Sequence, residues 1–102
     1  MGKKIQPTHP GLILKEEFLD PLGIKPGSFA AMIDVDRSRI NKICKGERDM
    51  TADTSLRLAK ALGTSAQFWM TLQAHYNLET ARDRLDPKVI KSIKTIDAQA
   101  TA

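Results

Sequence analysis

Apolar residues in this chain recur at helical spacing and never alternate as they would along a strand. Leu14 and Phe18 lie four apart, Phe29 is followed by Met32 and Ile33, and Ile40 and Ile43 lie three apart. Further on, Leu58, Ala59 and Leu62 form one stripe, while Phe68, Leu72 and Tyr76 repeat every four residues with Trp69 beside them. Residues three and four apart share a helix face, so the pattern predicts about five helices and an all-α class. The punctuation between them agrees. Thr8 or His9 can cap a first helix with Pro10 at its opening position. Asp20-Pro21 predicts its end, because proline disfavours helical geometry in the residue before it. Pro21-Leu22-Gly23-Ile24 then reads as a turn with two apolar anchors. Thr51 and Thr64 or Ser65 suit later N-caps, Gly46 and Gly63 suit C-terminal stops, and Asp86-Pro87 breaks the last long helix near Leu85.

The stretch from Phe29 to Gly46 organises the rest. It reads as two short helices joined by a tight turn. The first is apolar at Phe29, Met32 and Ile33, and Ala30 is small enough for close helix approach. Asp34-Val35-Asp36 interrupts it: Asp34 tolerates a left-handed conformation, Val35 can fold inward, and Asp36 is a good N-cap. In the second helix Ile40 and Ile43 face one way. Arg37, Ser38, Asn41, Lys42 and Lys45 fall on or near the other. Arg pairs bidentately with guanine, Asn with adenine, and Lys with guanine or phosphate, so this face suits a DNA major groove. The stretch is a helix-turn-helix.

Charge sharpens that reading by position more than by total. The net charge is +4 over 102 residues, which permits a polyanionic partner without demanding one. Lys25 to Asp49 holds six cations against four anions, and Arg84 to Ala102 four against two, while the two remaining segments are neutral. The chain divides into an arm over residues 1–7 with Lys3 and Lys4, a helix-turn-helix domain over 8–85, and an extension over 86–102. In the extension, Val89, Ile90, Ile93 and Ile96 approximate a helical stripe. Such a short helix is marginal alone in water, so it docks, meets a partner, or frays. The one cysteine, Cys44, excludes an internal disulfide and fits a reducing compartment. No apolar run is long enough for a signal-peptide core or a membrane span, so the expected location is the cytoplasm with no membrane partner.

From His9 to about Leu78 the chain resembles the HigA-type antitoxins of the XRE-like, lambda-repressor-like helix-turn-helix family. The matching residues are His9-Pro10-Gly11, Glu17-Phe18-Leu19, Pro21-Leu22-Gly23, Ile40 through Ile43 to Gly46, and above all Leu56 to Ser65 followed by Phe68-Trp69 and Leu72-Gln73. The resemblance implies a lambda-repressor-like DNA-binding domain made of the five helices, and the stripe after Asp86 would add a short C-terminal helix to it. It also implies a homodimer on an inverted-repeat operator, repressing its own operon, and a HigB-type toxin partner of the RelE-like ribonuclease class. The positions that match base readers are Arg37, Ser38, Asn41 and Lys42, while Arg39 and Lys45 reach phosphates, which position without reading sequence. Asp34 stands where such motifs usually have glycine. Pro26 stands where a glutamine often supports backbone contacts, so that contact is not carried over. The first helix with its arm and the segment after Asp86 are both candidate toxin surfaces. A stand-alone repressor with no toxin, and an interaction module that has lost DNA binding, are the alternatives.

Other chemistry finds little footing. An ordinary solvated face is the rival for the cations of Arg37 to Lys45, and the turn and paired isoleucines weigh against it. His9 and His75 stand far apart with no second ligand at metal spacing, so neither metal nor cofactor is expected. Glu16 and Glu17 point to different faces, and no Ser-His or Cys-His pairing is suggested, so the chain reads as no enzyme. Cys44 reads as a small core residue. Trp69 and Tyr76 read as core or as a dimer interface.

Overall fold

A computed structural model describes residues 7–97. The arm residues Lys3 and Lys4 and the end from Ala98 lie outside the described residues. Among the described residues five helices build the domain and a sixth follows: α1 (residues 10–22), α2 (Pro26–Met32), α3 (Arg37–Cys44), α4 (Ala52–Leu62), α5 (Ala66–Arg84) and α6 (Pro87–Ser92). No strand occurs among the described residues.

The first helix departs from expectation at Asp20-Pro21, which does not end it. α1 is α-helical over Pro10–Ile13 and Asp20–Leu22 but π-helical over Leu14–Leu19, and Gly23 closes it at φ 69°. Proline lacks an N–H, and its ring would strike the carbonyl four residues back in a regular helix. In the wider turn, hydrogen bonds run five residues back, as from Asp20 N–H to the Lys15 carbonyl, and Pro21 is accommodated. The same widening puts Leu14 and Leu19, five apart, both fully in the core, while Phe18 is only half-buried.

The N-terminus of α1 is built by His9-Pro10-Gly11. His9 Nδ1 accepts from the Gly11 N–H at 2.9 Å, and Pro10 opens the helix, where its missing donor costs nothing. A Cβ on Gly11 would lie 1.6 Å from the Ile43 carbonyl oxygen, so only glycine lets α1 meet the end of α3. The His9 and Tyr76 rings pack edge to face with centroids 4.8 Å apart, fastening the last long helix, α5, to the same point.

The core gathers Leu14, Leu19, Phe29, Ile40, Ile43, Met50, Leu58 and Trp69. Trp69 lies between Phe18 at 5.2 Å and Phe68 at 5.0 Å, and its Nε1 donates to Thr64 Oγ1 at 2.8 Å. Met32 was expected inside and instead is 64% exposed at the end of α2. α2 also starts earlier than Phe29, because Lys25 serves as its N-cap residue and Pro26 fits its first turn. α6 is formed, but none of its residues is buried, so it does not dock on the domain; Ile93 and Ile96 lie beyond it, exposed.

Candidate nucleic-acid interface

α2 and α3 meet through a turn in which Asp34 takes φ 57°, the left-handed conformation that its short polar side chain tolerates. The Val35 N–H returns to the Ala30 carbonyl at 2.9 Å, and Asp34 N–H to Ala31 at 3.3 Å, closing the end of α2. Asp36 then caps α3, its carboxylate accepting from Arg39 N–H at 3.3 Å. At the other end Gly46, at φ 77°, lets the Glu47 N–H reach the Lys42 carbonyl at 2.9 Å. Behind α3, Ile40 and Ile43 are both 0% exposed, each contributing about 1.5–3 kcal/mol of burial.

The outer face carries the residues expected there, in two groups. Arg37, Ser38, Lys42 and Lys45 are exposed, and Asn41 is half-buried. Arg37 crosses the first turn of α2: a Cβ on Gly27 would come within 3.0 Å of its Nε. Arg37 and Asn41 thereby share a shallow groove with Lys25, Pro26, Gly27 and Ser28. Arg39 is turned away from them. It is half-buried in a second groove with Asp34, Asp36 and Asp53, shared with Arg57 of α4. The first groove offers donors of the guanidinium, amide, ammonium and hydroxyl kinds to an acceptor-rich partner. The second is lined by three carboxylates facing two guanidinium groups.

Three supporting residues were not visible in the spacing. Arg57 donates from Nη1 to the carbonyls of Ile33 at 3.2 Å and Asp34 at 3.0 Å, and from Nε to Asp53 at 2.5 Å. Gln73, buried in α5, accepts from the Met50 N–H at 2.7 Å and so holds the loop that follows α3. Gly27 makes room for Arg37. The Asp53–Arg57 spacing of four was a legible signal for an ion pair, but its carbonyl partners were not.

Burial raises the Cys44 thiol to about 11, which fits a core residue and not a redox switch. No group of three or more His, Cys, Asp or Glu residues is placed to hold a metal ion among the described residues. Nor is any helix among them long and apolar enough to cross a membrane.

A core-backed second helix presenting its cations across a tight turn defines a helix-turn-helix protein. Comparisons with known proteins give the same class, the Helix-turn-helix family model matching residues 14–69. The Virulence-associated protein I of Dichelobacter nodosus is 41% identical over 92% of this chain and 89% of its own. The antitoxin HigA-1 of Vibrio cholerae serotype O1 is 35% identical over 79% of this chain and 76% of its own. The solved structure of the Pseudomonas aeruginosa antitoxin HigA with the higBA promoter superposes with a TM-score of 0.84 at 37% identity, covering 89% of this chain and 99% of that one. The chain belongs to the helix-turn-helix family and, within it, to the HigA-type antitoxins.

Proposed function

We propose that the chain is a DNA-binding antitoxin that represses its own operon as a dimer and neutralises a HigB-type, RelE-like ribonuclease toxin. The observation that carries the DNA part is the outward set Arg37, Asn41 and Lys42 on a helix fixed from behind by Ile40 and Ile43. Two such helices in a symmetric dimer enter successive major grooves about 34 Å apart on an inverted repeat. Arg37, Ser38, Asn41 and Lys42 read base edges and Lys45 holds a phosphate, while Arg39, seated in the groove of Asp34, Asp36 and Asp53, reaches a phosphate only by turning out of it. Residues 8–85 are the DNA-binding unit, flanked by the arm at 1–7 and the extension at 86–102. Kinship with the HigA antitoxins supports the toxin partner, and the similar Pseudomonas antitoxin was solved with its promoter. The working place is the cytoplasm, and the chain acts by binding, not catalysis.

The test is a promoter titration combined with co-expression of the adjacent reading frame. Arg37→Ala is expected to cost about 1–3 kcal/mol and to relax specificity at one base position per half-site. Lys45→Ala should weaken all sequences alike and lower the salt slope by about one. If Arg37→Ala binds each operator variant as the parent does, Arg37 is no base reader. If no small basic protein copurifies, the antitoxin part fails and a stand-alone repressor remains.

A further inference from the structure

The turn of the motif contains a strain that glycine would remove, and a side chain from a different helix lies on that strain. Among the described residues Asp34 is the non-glycine residue with positive φ, at 57°. The carbonyls of Ile33 and Asp34 lie at the end of α2, where a helix leaves acceptors without helical partners. Arg57 of α4, 24 and 23 residues away, donates one Nη1 to both, at 3.2 and 3.0 Å. Its guanidinium is aimed by Asp53, one turn earlier on α4, through an Nε bond of 2.5 Å. A cation at the C-terminal end of α2 also opposes the negative pole of that helix.

We infer that Arg57 is a positioning residue for DNA recognition: it clamps the left-handed turn at Asp34 and so sets the pose of α3 against α2. This rests on the reading of α3 as the helix that enters DNA. The turn is the hinge between the two helices, and Asp36, two residues on, caps α3. Freeing the carbonyls lets Asp34 relax toward ordinary backbone conformations, which tilts the start of α3, where Arg37 stands. Arg57 itself need not touch DNA.

The closing experiment uses the full chain with Arg57→Ala, Asp34→Gly and the double variant. Affinity is measured for the operator and for an unrelated duplex, together with amide exchange in the free protein. For Arg57→Ala, operator affinity should fall about three- to tenfold, the worth of one or two hydrogen bonds, while affinity for the unrelated duplex stays the same. The salt slope should not change. Exchange of the Val35 amide should quicken by a similar factor while core amides keep theirs. Glycine needs no clamp at positive φ, so Arg57→Ala in the Asp34→Gly background should lose less than about twofold. Equal loss on both duplexes with a salt slope reduced by about one would make Arg57 a phosphate contact and overturn the proposal. So would an unchanged Val35 exchange rate, or the same loss in the glycine background. If the parent binds no operator, the proposed function fails, and the exchange measurement still decides the clamp.

Discussion

His9 is held between three parts of the domain. Its Nδ1 accepts from Gly11, its ring packs edge to face with Tyr76, and its Cβ stands 3.5 Å from where a side chain on Gly46 would begin. An imidazolium carries protons on both nitrogens and cannot accept from Gly11. Burial therefore pulls the pKa below 6.5; Asp49 and the Arg48 backbone oppose this, but Nε2 is buried without a well-formed hydrogen bond and burial wins. Below 6.5 the unfolded chain takes up this proton before the folded one. His9 thus contributes stability that is full above 6.5 and is lost as the pH falls toward its folded value. The thermal midpoint should hold well above pH 6.5 and decline as the pH falls below it. His9→Asn keeps a capping acceptor that does not titrate, so its midpoint should be lower throughout but flatter over that range. Equal slopes in parent and variant would assign the decline elsewhere.

At the scale of elements, the caps were legible and the register of α1 was not. Asp36, Thr51 and Ser65 each accept from the N–H three residues on, as their side chains and positions implied. Asp20-Pro21 misled because the rule for residues before proline assumes regular helical geometry, and the chain answers with a π turn. Met32 misled because the inward stripe of so short a helix is narrow: Phe29, Ala30 and Ile33 fill it. Gln73 lay within a recognisable block, but its bond to Met50 spans 23 residues and no periodicity predicts it. Replacing Gln73 with leucine keeps the volume and strands the buried Met50 N–H. That should cost about 1–3 kcal/mol, and each kcal/mol lowers the midpoint of such a domain by about 4–8 °C. A shift under about 2 °C would mean that the loop satisfies Met50 in another way.

For the whole molecule, the excess of positive charge is concentrated in two places, the helix-turn-helix stretch and the segment from Arg84 onward. In the first, paired isoleucines imply an opposite face, and Arg37, Lys42 and Lys45 are exposed. How the cations divide was not readable, since Arg37 and Arg39 are two apart in sequence yet line different grooves. If the dimer neutralises six to ten phosphates, operator affinity should fall by about 10³–10⁵ between 50 and 200 mM salt. A slope near zero would contradict a phosphate-led complex. The π turn of α1 also matters at this scale. Upstream of it Gly11 sits against the end of α3, and its downstream end seats Leu19 in the core. Each residue of a regular helix turns the chain by about 100°. Losing a single residue between Lys15 and Phe18 would let the segment close as a regular helix and would return the ring of Pro21 to the carbonyl four residues back. The extra residue is therefore tied to Pro21, even where the side chains of the segment face water and are free to vary.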